Sequence, residues 1–243
     1  MNMFSFLYGL VAYLLFLFTF VYVAAFSGNL YVSKTIDSGA AGPVVSAIAV
    51  DVILLGIFAV QHSVMARRGF KRWWTKFVPE AIERSTFVLA ATLTLALMVW
   101  QWQPIPEPIL WKVENGAAVT AMWAVFWMGW CVLLFSTFLM NHFELFGLRQ
   151  SASGLMGDTL PDPTFRTPVL YRYVRHPIYL GFVLAFWSVP TMSAGHLLFS
   201  IGGTGYILVG IWFEERDLVH QFGDQYRRYR EQVGMLMPWR KAS

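Results

Sequence analysis

Two short stretches of this chain carry groups that apolar sequence rarely contains: YRYVRHPIYLGF, Tyr171 to Phe182, and WFEERDLVHQFGDQYRRY, Trp212 to Tyr229. Pro177 suits the first turn of a helix, where its missing N–H leaves nothing unpaired, so a helix is predicted to start at about His176. Arg172, Arg175 and His176 then gather around a helix N-terminus, whose free N–H groups favour an anion such as a carboxylate or phosphate. Anchoring of lipid headgroups by Arg172 and Arg175 is the competing reading of these residues. Glu214 and Glu215 stand at the predicted end of an apolar span, where a helix C-terminus disfavours negative charge. Adjacent carboxylates near a membrane need a partner and mark a candidate functional site. A structural ion pair between the two stretches would supply that partner. So would a polar pocket with an anion recess and a carboxylate, suited to a zwitterionic ligand carrying a hydroxylated sugar. Phe222, Tyr226 and Tyr229 share one helical face, for packing or for walling a ligand.

Other polar groups are scattered. His62 follows Gln61 near the end of one apolar run, and Asn141, His142 and Glu144 end another. His142 and Glu144 are two apart and do not share a helical face, so a dyad between them is not expected; each can address a pocket separately. The histidines are too dispersed for a metal site. The single cysteine, Cys131, excludes an intramolecular disulfide and reads as a small buried apolar residue.

These groups must be positioned by membrane helices. Of the 243 residues, 57% are hydrophobic and 13% charged, about half the charged fraction of a soluble domain. The fold class is therefore all-α, a polytopic bundle of about six transmembrane helices with a cytosolic C-terminal helix. The runs are Phe4 to Phe26, Val44 to Met65, Thr86 to Trp102, Ala117 to Met140 and two short ones, Ile178 to Met192 and Leu197 to Phe213, joined by SAGH. The first reads as a retained helix, since it lacks a basic leader region and exceeds a signal-peptide core. All but two of the 18 Lys and Arg lie in alternate connections or the tail. The exceptions are Lys34 and Lys112. The positive-inside rule then places both termini in the cytoplasm. Trp73, Trp74, Trp100, Trp102 and Trp111 fall at span ends, as an interfacial belt would.

The N-terminal helices occupy 1–143. Residues 144–243 hold a loop, the helical hairpin and the cofactor region, within one membrane domain. Glu144 to Val174 reads as an irregular connection leading into the first motif, a lid or pocket wall. The net charge of +4 comes from short loops and forms no long basic face, which argues against a nucleic-acid partner. No inverted repeat points to a transporter. Oligomeric state is not legible.

Arg175-His176-Pro177-Ile178-Tyr179-Leu180-Gly181, Glu214-Glu215, Phe222-Gly223, Tyr226 and Tyr229 together resemble the membrane methyltransferases of the isoprenylcysteine carboxyl methyltransferase and phospholipid methyltransferase superfamily. The resemblance covers the C-terminal quarter. It implies S-adenosyl-L-methionine bound on the cytoplasmic side by Arg172, Arg175, His176, Pro177, Tyr179, Gly181, Glu214 and Glu215. QHSVMARRGF resembles an element shared by NnrU-like proteins and bacterial methanethiol S-methyltransferases, and Phe135 to Gln150 resembles the latter group. This implies methylation of a small thiol, methanethiol, to dimethyl sulfide. His62 and His142 are then candidate bases, Tyr171 and Tyr179 orient the thiol, and Asn141 and Glu144 are substrate candidates. A prenylcysteine carboxylate, a phospholipid or hydrogen sulfide are alternative acceptors. A noncatalytic NnrU-like protein, with haem on His62 or His142, is the alternative class.

Overall fold

A computed structural model describes residues 2–156 and 164–238. Arg240 and Lys241 of the tail, and part of the connection read as a lid, lie outside the described residues. The fold is all-α. Helices α1 (Asn2–Ser27), α2 (Val44–Met65), α4 (Glu80–Gln101), α5 (Gly116–Leu139) and α9 (Ala194–Phe222) are long and apolar enough to cross a membrane. Shorter helices are α3 (Arg68–Trp74), α6 (His142–Leu145), α7 (Leu148–Met156), α8 (Pro177–Trp187) and α10 (Asp224–Gln232).

The fifth predicted span differs from expectation. The apolar run continues to Met192, but α8 stops at Trp187 after 11 residues, about 16 Å and roughly half a bilayer core. Pro190 is the cause. It cannot extend a helix, and it pushes the residue before it out of the α region. Conversely, α9 does not stop at Phe213 but runs on through EERDLVHQF to Phe222, ending at Gly223 with φ +56°. Glu214 and Glu215 therefore sit within a helix and not at its end. His196, expected in the outer turn, lies in the first turns of α9 and is fully buried.

The chain forms two compact units. The first comprises Met1–Leu110, Asn141–Pro161 and Met192–Phe199. In it α1 packs on α4 and α7, and α2 packs on α4. The connection expected to be irregular folds into α6 and α7 and is stitched to the start of α4. Arg84 Nε donates to the Leu145 carbonyl at 2.8 Å, and Ser85 Oγ to that of Gly147 at 3.1 Å. Gly147 has φ +83°, and a Cβ there would lie 2.6 Å from the Ser85 nitrogen, so only glycine fits. Trp102, expected in an interfacial belt, is wholly buried edge-on against Phe26 and Phe199, at 6.1 and 5.7 Å between centroids.

The second unit comprises Trp111–Met140, Asp162–Thr191 and Ser200–Ser243. Its closest helix pair is α5 and α8. A Cβ on Gly181 would lie 2.5 Å from the Gly129 carbonyl oxygen, and one on Gly129 would lie 2.6 Å from that of Gly181. Small residues that let backbones touch are a usual membrane interface. Trp130 packs edge-on against Phe182 at 5.9 Å beside this contact. α8 meets α9 through Trp187 Nε1, which donates to Thr204 Oγ1 at 2.9 Å, and through Ser200 Oγ, which donates to the Phe186 carbonyl at 2.8 Å. Cys131, expected to be buried, is exposed on α5, as a membrane helix apolar all round allows.

Candidate active site

The polar cluster lies in the second unit, where the start of α8, the middle of α9 and the C-terminal segment meet. His176 caps α8 and Pro177 occupies its first turn, as the sequence predicts. Arg175 Nε donates to Glu215 Oε1 at 2.8 Å, and His176 Nε2 lies 3.1 Å from the same oxygen. Arg175 and Glu215 side chains are only 11% and 12% exposed. Arg175 Nη1 also donates to the carbonyls of Arg230 and Val233, at 3.0 and 2.5 Å. Glu214 differs from its neighbour. Its side chain is 44% exposed, and its Oε2 accepts from the Tyr179 hydroxyl at 2.9 Å.

Residues 230–235 also take part in the cluster, which no spacing within that segment announces. Val174 and Gly234 form a parallel bridge. The Arg175 and His176 amides donate to the Gly234 and Met235 carbonyls at 2.9 and 3.2 Å. Tyr229 Oη donates to the Tyr171 carbonyl at 2.5 Å. Phe165 stands against Phe222, Tyr226 and Tyr229, 5.4 to 6.0 Å between centroids. No local sequence signal marks this strap, because distant segments hold it through its backbone carbonyls. The aromatic spacing Phe222, Tyr226, Tyr229 was the one legible trace of it.

Burial and nearby carboxylates govern the tyrosines. Tyr229 is pushed up to about 12, chiefly by burial, with Arg175 opposing and Glu215 adding. Tyr171 and Tyr226 are raised for the same leading reason, with Glu214 and Glu215 contributing. All three remain protonated at neutral pH, so none of them acts as a base. Tyr226 is 2% exposed, and its hydroxyl is buried without a hydrogen-bond partner among the described residues.

The structure thus brings together Arg175, His176, Tyr179, Glu214 and Glu215, with Tyr171 joined through Tyr229. Arg172 is exposed on the 3-10 turn Val169–Arg172. Gly181 and Pro177 shape α8 and its packing, and neither offers a polar side chain. The remaining candidates belong to the first unit. His142 is 2% exposed, and its Nε2 is 2.8 Å from the Tyr13 hydroxyl. The rings of Phe146 and Phe143 stand edge-on to it at 4.8 and 5.4 Å, and burial lowers its pKa. Asn141, at φ +62°, accepts the Glu144 and Leu145 amides on its carbonyl. Glu144 pairs with Arg149 at 3.1 Å. His62 lies between Phe58 and Phe87, at 5.5 and 4.9 Å.

A family model described as NnrU protein matches residues 52–237. The chain is 55% identical over 233 residues to the methanethiol S-methyltransferase of Mycobacterium tuberculosis, covering 96% of this chain and 95% of that one. It is 51% identical over 238 residues to methanethiol S-methyltransferase 1 of Bradyrhizobium diazoefficiens, covering 98% and 83%. Nurim of Xenopus laevis is 32% identical over 167 residues, covering 66% and 58%. No solved structure matches. The chain belongs to the NnrU family of membrane proteins, in the company of its methanethiol S-methyltransferases.

Proposed function

We propose that this protein methylates methanethiol to dimethyl sulfide, with S-adenosyl-L-methionine as the methyl donor. The reading rests on the Mycobacterium tuberculosis relative, whose name states that transfer and which matches 96% of this chain. The donor set of the second unit fits the cofactor. A zwitterionic amino acid joined to a ribose asks for a cation and a carboxylate in one polar patch. Arg172 is exposed there, and Glu214 keeps one carboxylate oxygen without a hydrogen bond among the described residues.

The EE pair divides its work in this reading. Glu215 is locked by Arg175 and His176 and fixes α9 against the start of α8. Glu214, held in orientation by Tyr179, takes the ribose hydroxyls or the ammonium. Arg172 takes the carboxylate, and the Arg175–His176 turn supports it. When bound, S-adenosylmethionine supplies an electrophilic methyl group on a sulfonium. The chain's task is alignment, with reacting atoms about 3 to 3.5 Å apart. It must also remove the thiol proton, since an alkyl thiol ionises no more readily than cysteine, near pKa 8.5. The protonated tyrosines cannot take that proton, but Tyr171 can donate to the thiolate, while Tyr179 gives its one proton to Glu214 and acts by positioning that carboxylate. His142 already commits Nε2 to Tyr13, so His62 is the proposed base, on residue chemistry and its QHS element.

The distribution of Lys and Arg supports placing both termini on the cytoplasmic side of a bacterial inner membrane. The test is direct. Purified protein in detergent receives S-adenosylmethionine and methanethiol, and dimethyl sulfide is read in the headspace by gas chromatography. Product from intact but not boiled protein, reduced at least ten-fold in Glu214→Gln, supports the reading. Cofactor binding without dimethyl sulfide would retain the site and move the acceptor to lipid. No binding would overturn it.

A further inference from the structure

Arg84 stands near the start of α4, a candidate span, where an unpaired charge is costly and marks a functional candidate. Its guanidinium is held at two points. Nε donates to the Leu145 carbonyl at 2.8 Å, and Cζ lies 4.9 Å from the centre of the Phe87 ring. Neither neighbour carries a formal charge. The carboxylates whose charge reaches Arg84 are Glu83 and Glu144. Each is already paired at 3.1 Å, Glu83 with Lys71 and Glu144 with Arg149. Lys71, Arg84 and Arg149 thus share Glu83 and Glu144, which leaves a positive charge over. Among the described residues Arg84 forms no ion pair, and its Nη groups have no hydrogen-bond acceptor. From α1, Tyr8 spends its hydroxyl on Thr86 at 3.1 Å.

The surroundings set the class of anion that would complete this group. Phe87 also packs against His62, 4.9 Å between centroids, and the Arg84 charge reaches His62. An unpaired cation and the proposed base therefore stand around one apolar ring, all within the first unit. Phe58 extends the apolar wall on the other side of His62, at 5.5 Å. The guanidinium is half-buried, drawn inward by Leu145 and Phe87 and not extended towards a headgroup. A strongly hydrated anion gains little beside such rings. A small anion with an apolar body, a thiolate, satisfies both the cation and the wall.

We infer that Arg84 binds the thiolate form of the methyl acceptor, an inference that rests on the thiol-methylation reading. The S–H proton passes to His62, the electron pair stays on sulfur, and the Nη groups of Arg84 donate to that sulfur. An opposite charge within about 4–6 Å lowers an acid's pKa by about 1–3 units. The bound acceptor therefore ionises at neutral pH, where a free alkyl thiol stays largely protonated.

The test measures kcat for the full chain in detergent, with S-adenosylmethionine and either methanethiol or the more acidic trifluoroethanethiol, from about pH 6 to about pH 10. Arg84→Gln should lose about ten-fold or more with methanethiol at neutral pH, since each unit of thiol pKa is ten-fold in thiolate. That loss should shrink as pH rises and should be smaller with trifluoroethanethiol. Arg84→Lys, which keeps the charge, should follow the wild-type pH profile at a reduced rate. Both variants should bind S-adenosylhomocysteine like wild type. A loss equal at every pH and for both thiols would overturn the inference, as a purely structural role of the Leu145 bond requires. Weakened S-adenosylhomocysteine binding in Arg84→Gln would also overturn it, by assigning the guanidinium to the cofactor's carboxylate. Wild type alone gives a second readout: its acid limb with methanethiol should lie at least about one unit below the ionisation of the free thiol, and coincidence of the two would overturn the inference. No dimethyl sulfide from wild type would overturn the thiol reading itself, whereas product with a flat wild-type to Arg84→Gln ratio overturns this inference only.

Discussion

Arg175 Nε and Glu215 Oε1 are 2.8 Å apart, and the same guanidinium holds the carbonyls of Arg230 and Val233. One side chain thus joins three segments: the turn before α8, the middle of α9 and the C-terminal strap. Each carboxylate of the EE pair then has its own environment. Glu215 is nearly enclosed and bonded twice, whereas Glu214 is half exposed and bonded once.

That difference predicts opposite phenotypes. Arg175→Ala leaves the enclosed Glu215 with His176 at 3.1 Å and the half-exposed Arg230 at 3.9 Å, and removing the close partner of an enclosed pair costs about 3 kcal/mol. The variant should melt several degrees lower before any ligand is added. Glu214→Gln keeps a hydrogen-bonding amide in a half-exposed position and should melt like wild type, yet bind S-adenosylhomocysteine at least ten-fold more weakly. Melting curves and calorimetric titration on both variants decide this. Equal losses of stability in the two would remove the division of labour.

Much of this site was legible before any coordinates. Pro177 sets the start of α8, and the polar groups before it and in EERD stand out because an apolar chain tolerates few such residues. What was missed is long-range. The strap at Val233–Met235 pairs through backbone, which composition does not encode, and the two-turn extension of α9 past Phe213 is invisible to an apolarity scan. Pro190 was present in the sequence, but a continuous apolar run outweighed it. α6 and α7 were too short to show a period, and they form because α1 and α4 offer a surface; Ser151 of α7 sits where a side chain on Gly9 would be.

Tyr226 offers a test in which removal of a polar atom does no harm. Its hydroxyl is buried without a partner among the described residues, and such a group costs about 1–3 kcal/mol of desolvation with no bond to offset it. Tyr226→Phe should therefore melt at the same temperature as wild type or higher, with Tyr229→Phe, which loses the bond to the Tyr171 carbonyl, melting lower. A clear loss of stability in Tyr226→Phe would show that the hydroxyl has a partner in solution.

His142 should make stability depend on pH. Its folded-state pKa lies below the ordinary 6.5 because burial disfavours the imidazolium. The unfolded chain then takes up the proton first. The stability is present above the ordinary histidine value and is lost as pH falls through it towards the folded value. Melting temperature in detergent should fall between about pH 7 and pH 5. His142→Gln, which keeps a hydrogen-bonding partner for Tyr13, should flatten that slope. An unchanged slope in the variant would assign the dependence to another group.

Gly181 separates packing from ligand binding. A Cβ there would lie 2.5 Å from the Gly129 carbonyl and 2.8 Å from the Leu133 nitrogen, whereas one on Gly205, in α9, meets nothing within 4 Å. Gly205→Ala should be neutral or gain up to about 1 kcal/mol from helix propensity. Gly181→Ala must push α5 and α8 apart and should lose about 1–3 kcal/mol, as overpacked contacts do. If Gly181 acts only through this contact, the variant's remaining folded fraction should bind S-adenosylhomocysteine with wild-type affinity at low temperature. A large affinity loss in fully folded Gly181→Ala would instead return Gly181 to the cofactor site, where its sequence motif first suggested it belonged.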